Sequence, residues 1–330
     1  MSIATDDPRA AAAFVAVRAA ARLTTAAQGR LAAGDTLTRG DDSPVTIADF
    51  GAQAVVCSTL QRHLGDVVVV GEEDATDLQP GSDLVAGVVD LVSAAIEPGS
   101  SDGPVTERTV IDWIAIGSAD ATTDTYWTLD PIDGTKGFLR GDQYAIALAL
   151  IEHGEVTVGV LGCPNLANAD GSRGAIFVAD ETGVEMYVGD DPTARTVSVD
   201  DPAALADARF CESVESGHSD HDHAAQIAER LGICTEPYRI DSQCKYAAVA
   251  RGDASIYLRL PTRPGYREKI WDHAAGLIAV ERAGGTVTDV EGRPLDFTHG
   301  TRLDANQGII ATSGRFHDEV VAAVRAVLAR

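Results

Sequence analysis

WTLDPIDGTKGF (127–138) decides how this chain is read. The run Tyr126–Leu129 has the apolar and β-branched make-up of a short strand, and it ends in Asp130-Pro131-Ile132-Asp133-Gly134-Thr135. Two carboxylates are separated by a proline-constrained turn. Gly134 permits a tight bend, and Thr135 sets a hydroxyl beside the acids. Taken alone, the segment reads equally well as an ordinary surface turn, because Asp, Pro, Gly and Thr are common turn residues. It also suits a hard divalent cation such as Mg²⁺, which takes oxygen ligands and keeps positions open for water and phosphate oxygens.

Two further acidic groups stand at element ends. Glu72 and Glu73 follow the valine strand 67–70, and Asp272 is expected to open a helix running to Ala283. Upstream, a helix is expected over 7–33, with Asp7 as N-cap and Pro8 in the first turn. A second follows from Phe50 to Leu64 with Asp49 near its start, and a third covers 82–95. Two hairpins are expected downstream. One joins 144–152 to 155–161 through His153-Gly154, and the other joins 175–179 to 184–188. The Asp/Pro/Ala-rich stretch 189–208 reads as a linker. It divides an α+β unit (1–205) that carries the acidic motifs from a smaller α/β unit (206–330) of alternating strands and helices.

Composition bounds the function. The 330 residues carry 26 Lys+Arg against 50 Asp+Glu, a net charge of −24. That argues against a binder of nucleic acid or anionic membrane, either of which needs a basic face. Only three of the cations are lysines (Lys136, Lys245 and Lys269). A salt-adapted surface and a GC-rich genome both fit this bias. Five scattered cysteines with no CxxC pair read as free thiols, so a cytoplasmic enzyme is expected. No uninterrupted apolar run is long enough to span a bilayer. No P-loop and no G-x-G-x-x-G is present.

The motifs together carry a resemblance. DPIDGT (130–135), VVGEED (69–74) and WDHAAG (271–276) resemble, in order, the signature of the Mg²⁺-dependent, lithium-sensitive phosphatase superfamily of inositol monophosphatase. SPVTIADFGAQ (43–53), KGFLRGDQYAIALALIEHG (136–154), GCPNL (162–166), ESVESGHSDHD (212–222), DSQCKYAAVARGDASIYLRLP (241–261) and REKIWDHAAG (267–276) are similar to its 3′(2′),5′-bisphosphate nucleotidase branch. The match spans about 40–315.

The resemblance implies a layered α-β-α-β-α sandwich with the site between two domains. It implies that Glu72, Asp130, the Ile132 carbonyl, Asp133 and Asp272 hold two or three Mg²⁺ ions, with Glu73 behind them. It makes Asp49 and Thr135 the pair that orients and activates the attacking water. It assigns substrate contacts to Gly134, Thr135, His218, Ser242, Lys245, Arg259 and Asp272. The expected reaction is loss of the 3′-phosphate from adenosine 3′,5′-bisphosphate, and also from 3′-phosphoadenylyl sulfate, by a monomer whose only partner is the small nucleotide. Inositol 1,4-bisphosphate or inositol monophosphate is the rival substrate. A non-catalytic Mg²⁺/nucleotide sensor is the rival of another class.

Two of these residues and one cluster have other readings. Lys245 could be a solvated helix residue, and Arg259, in an apolar strand, could simply pair with a core acid. His218, His221 and His223 could form a zinc site, but no cysteine or further histidine spacing supports one. The register of the pocket histidine, His218 or His221, stays open.

Overall fold

The computed structural model describes residues 5–31, 36–38, 44–95, 104–214, 221–261, 263 and 265–329. In chain order the elements are α1 (Pro8–Leu31), β1 (Thr36–Thr38), β2 (Pro44–Thr46), α2 (Ile47–Leu64), β3 (Val69–Gly71), α3 (Asp83–Ala95), α4 (Glu107–Ala115), β4 (Thr125–Asp133), α5 (Thr135–Arg140), β5 (Ala145–Glu152), β6 (Glu155–Ala167), β7 (Arg173–Asp180), β8 (Gly183–Val188) and β9 (Arg195–Thr196). There follow β10 (Phe210–Glu212), α6 (His221–Leu231), β11 (Tyr238–Arg239), α7 (Cys244–Ala250), β12 (Ile256–Arg259), α8 (Ala274–Arg282), β13 (Thr286–Thr288), β14 (Ile309–Thr312) and α9 (His317–Leu328).

Strands β3 to β9 form a seven-stranded sheet in sequence order, antiparallel except for the parallel β3–β4 pair. The second sheet has the order β11-β10-β12-β14-β13. Helices α1 and α2 cover the outer face of the first sheet, while α7 and α8 lie between the two sheets. Helices α6 and α9 close the far face of the second sheet, where Ile227, Val320 and Val324 meet Phe210, Ile256 and Ile310. The layers are therefore α-β-α-β-α, as the resemblance implies. The stretch 189–208 is more than a tether: Val199 donates to Ala283 (3.1 Å), and Ser255 donates to Asp200 (2.5 Å).

The reason for α1 is visible in its spacing. Ala10, Ala13, Phe14, Val17 and Ala20 recur at three- and four-residue steps and are all buried. Pro8–Arg30 is nevertheless long and apolar enough to cross a membrane by length and composition, its most apolar 18-residue window having a mean hydropathy of 1.3. This qualifies the expectation from uninterrupted runs, because alanines outweigh Arg18 and Arg22. In the fold, its apolar face packs on β5, β6 and β7. The β5–β6 turn has both central residues at positive φ, His153 (53°) and Gly154 (83°), the conformation a two-residue hairpin needs. All five cysteines are free, and four are buried.

His317 shows how the second sheet is tied to α9. The ring is buried, 2.9 Å from both the Thr288 and Thr312 hydroxyls. Burial pushes its pKa below 6.5. A histidine with a lowered folded-state pKa binds its proton more readily when unfolded, so stability is lost as pH falls below about 6.5. Urea unfolding between pH 7.5 and 5.5 should show a steeper loss for the wild type than for His317→Gln. Equal slopes would contradict this role.

Candidate active site

Strand β4 does not stop at Leu129 as expected but runs on to Asp133. Asp130 pairs with Ala147 and Asp133 with Ala145, so three residue steps on β4 face two on β5. In a regular strand, residues three apart point to opposite faces. The extra residue of this bulge turns Asp130 and Asp133 to the same side, and Pro131, which has no N–H to offer the ladder, sits where pairing is interrupted. Gly134 then takes φ +88°, and a side chain there would meet Ser242 Cβ at 2.9 Å. Thr135 opens α5, with its hydroxyl donating to the Ile132 carbonyl (3.3 Å).

One cleft of about 290 Å³ gathers Glu72, Asp130, Ile132, Asp133, Gly134, Thr135, Ser242, Lys245, Arg259 and Asp272. Glu72 leaves β3 with its N–H on the Leu129 carbonyl (3.1 Å). Asp272 does not open α8. It closes a 3₁₀ turn, Ile270–Asp272, and His273 follows before the helix. Ser242 adopts φ +65° ahead of α7, and the next N–H, from Gln243, donates to Asp133 Oδ2. The Gln243 side chain donates to the Trp271 carbonyl (2.9 Å) and accepts from Gly276 (3.3 Å), which fixes the Asp272 turn against α7. Gly276 itself admits no side chain: a Cβ would lie 2.2 Å from the Tyr246 ring.

Asp49 and Glu73 are buried beside this wall rather than lining it. Asp49 sits in the first turn of α2. Glu73 is fixed through its backbone, which donates to and accepts from the Gln53 amide (3.2 and 2.7 Å). Both act on Glu72 through their charge. His218 lies outside the described residues, as do the side chains of His221 and Asp222.

The acids raise one another's pKa values. Burial, then the charges of Glu72, Asp133 and Asp272, push Asp130 well above the ordinary carboxylate range. Burial and the neighbouring acids push Asp272 to about 7. Glu72 is pushed to about 8 by desolvation and by Asp49 and Glu73, although its side chain opens onto the cleft, where water screens part of this. Asp133 is also raised by burial, but Lys245 and the Gln243 N–H pull it back.

Asp130 is 2% exposed, and its Oδ1 has no hydrogen-bond partner among the described residues. An unpartnered carboxylate oxygen in an all-oxygen cluster is the donor chemistry of a hard divalent cation. A second group, Glu268, Asp272 and His273, also brings ligand atoms within 4.8 Å of one another. There, Glu268 and His273 already spend those atoms on Arg259, Tyr246 and each other. The Asp130 group is therefore the better candidate for holding a metal.

The opposite wall is cationic. Lys245 is buried, with Nζ 5.3 Å from the Tyr257 ring centre, so it is no solvated helix residue. Burial pushes its pKa down, against the pull of Asp133. Arg259 both lines the cleft and pairs with Glu268 (3.3 Å), so its two expected readings hold together. Sequence reasoning missed Lys136 and Arg140, which line the same cleft. It also missed Gln53, Gln243, Glu268 and His273. The lysine count held a clue, since Lys136 and Lys245 face the cleft and Lys269 lies on Trp271, next to Asp272 (4.5 Å to the ring centre).

Comparison with known proteins places this geometry. A model of the inositol monophosphatase family matches residues 6–329. The chain is 42% identical over 346 aligned positions to a 3′(2′),5′-bisphosphate nucleotidase of Oryza sativa, covering 98% of this chain and 96% of that one. It is 42% identical over 338 positions to the enzyme of that name from Schizosaccharomyces pombe (96% and 95% covered), and 40% over 319 to that from Emericella nidulans (89% and 91%). Among solved structures it resembles the IMPase of Thermotoga maritima, with a TM-score of 0.62, 23% identity and 96% of each chain covered. It also resembles the inositol monophosphatase of Anabaena, with a TM-score of 0.59, 21% identity and 96% and 94% covered. These two likenesses establish the fold.

The carboxylate cluster makes a prediction for the metal-free protein. A carboxyl with a raised folded-state pKa contributes stability below its unfolded pKa and loses it as pH rises. Asp130→Asn should therefore raise the metal-free Tm at pH 8, by about 2 °C, with a smaller gain at pH 5, and should abolish most of the stabilisation by Mg²⁺. A lower Tm at pH 8 with an intact Mg²⁺ response would refute the assignment.

Proposed function

The chain belongs to the inositol monophosphatase family, and from that premise we propose that it is a Mg²⁺-dependent phosphomonoesterase that removes the 3′-phosphate of adenosine 3′,5′-bisphosphate, giving AMP and inorganic phosphate. The relatives at 40–42% identity over most of the chain carry the name of this activity. The observation that carries the reading is the two-sided charge of the cleft, with carboxylates from β3, β4 and the 270–272 turn facing cations from α7 and β12. A bisphosphate needs both walls.

Glu72, Asp130, Asp133, Asp272 and the Ile132 carbonyl would hold the cation, and this donor set is large enough for the two or three Mg²⁺ ions that the resemblance implies. Mg²⁺ there offsets phosphoryl charge and lowers the pKa of water. The Thr135 hydroxyl, now on the Ile132 carbonyl, would orient the attacking water, and Asp49, buried beside the cleft, would take the water's proton by way of that hydroxyl. Water oxygen joins phosphorus and the P–O3′ bond breaks; the ribose oxygen takes a proton from solvent water, and Asp49 returns the proton it accepted to solvent. Ser242, Lys245 and Arg259 would hold the phosphate that stays on the nucleotide, with the Lys245 and Arg259 charges fixed by burial against Tyr257 and Glu268.

Phosphate release should be measured with Mg²⁺ on adenosine 3′,5′-bisphosphate, 3′-phosphoadenylyl sulfate, inositol 1,4-bisphosphate and inositol monophosphate. The adenosine bisphosphate should lead the inositol monophosphate in kcat/KM by about a hundredfold or more. Asp133→Ala should lose about a thousandfold in kcat while staying folded. Preference for an inositol phosphate, or tight nucleotide binding without turnover, would overturn the reading.

A further inference from the structure

Arg259 is the outermost member of a buried chain of polar groups. Its Nε lies 3.3 Å from Glu268 Oε1, and the other Glu268 oxygen lies 3.4 Å from His273 Nε2. His273 Nδ1 is in turn 2.8 Å from the Tyr246 hydroxyl. The Tyr246 ring stands edge-on to Tyr257 (5.0 Å, 83°), the ring beneath Lys245 Nζ. On the solvent side Tyr266 lies close enough to Arg259 for the two to feel each other's charge. Glu268 and His273 are 6% and 2% exposed at the side chain, so the carboxylate cannot satisfy itself with water.

The placement needs a reason. A carboxylate beside a phosphate-binding arginine weakens the site's positive potential. Yet Arg259 also feels Asp133 and Asp272 across the cleft. A long guanidinium left free in a cavity of four acids would fold onto them, because that is its nearest source of opposite charge. It would then occupy the oxygens a divalent cation needs and be absent where a phosphate arrives.

We propose that Glu268 is a positioning residue that holds the Arg259 guanidinium by its Nε, away from the Asp133 and Asp272 carboxylates, leaving the terminal nitrogens for the phosphate retained on the nucleotide. The inference rests on the nucleotidase reading for its substrate and on the geometry alone for its effect on metal binding. A carboxylate can accept from Arg259 and His273 at once, whereas an amide has a single acceptor oxygen. His273 can change tautomer to accept from the amide, but a neutral amide no longer attracts the guanidinium, so Glu268→Gln weakens the hold on Arg259 with almost no change of volume.

Four proteins test it: wild type, Glu268→Gln, Arg259→Ala and the double variant. Glu268→Gln should raise KM for the bisphosphate roughly tenfold and weaken Mg²⁺ binding, read by calorimetry without substrate, by severalfold. Both losses should disappear in the Arg259→Ala background, where no guanidinium remains to stray. Additive losses, or unchanged Mg²⁺ affinity in Glu268→Gln, would overturn the proposal. If Glu268→Gln does not fold, Glu268→Asp draws the carboxylate back from Arg259 by one methylene while keeping its charge, and an unchanged KM and Mg²⁺ affinity would count against the proposal. A wild type that binds Mg²⁺ but does not hydrolyse the bisphosphate would refute the proposed function. The calorimetric comparison still decides on the brace, because it uses no nucleotide.

Discussion

Four carboxylates in one cleft repel each other, and the fold is arranged so that they cannot move apart. The decisive local feature is the extra residue between Asp130 and Asp133, which puts both on one side of β4. Glu72 is delivered by the parallel strand β3, and Asp272 by a turn between the sheets. The four come from three separate parts of the chain, so the repulsion is carried by the whole layered structure. The raised pKa values of Asp130 and Asp272 and the bare Asp130 Oδ1 are the local signs of that load. A bound divalent cation turns the same repulsion into attraction.

The cationic wall answers the acidic one under the same constraint. Lys245 and Arg259 are each held by a group of the protein, Tyr257 beneath the ammonium and Glu268 behind the guanidinium. Gln243 links the walls. Its N–H meets Asp133 on one side, and its amide ties α7 to the Asp272 turn on the other. The net charge of −24 therefore says little about the ligand, because the field that matters is set within this cleft.

Much of this was legible in the sequence. The paired aspartates, the acidic end of β3, both hairpins, the long first helix and the alternation beyond residue 208 follow from spacing and composition. The ligand types also follow, because Asp-Pro-Ile-Asp-Gly-Thr is a local motif. What escaped depends on distant contacts. The strand continues through Pro131 because β5 pairs with Asp133, which no local pattern shows. Helix α4 escaped as well, although Val110, Trp113 and Ile114 give it one buried face. Glu268 is nine residues from Arg259 in sequence, and only the turn of the chain after β12 brings the two together. Gln53 and Gln243 act through single amides, which leave no signature in charge or hydropathy.

The central claim is that the Asp130–Asp133 side of the cleft, and not the neighbouring Glu268–His273 group, is the metal centre. Anomalous scattering from crystals grown with Mn²⁺ in place of Mg²⁺ tests it directly. The account predicts peaks bounded by Glu72, Asp130, Asp133 and Asp272, with Glu268 still on Arg259. A peak between Glu268 and His273, with none beside Asp130, would contradict it.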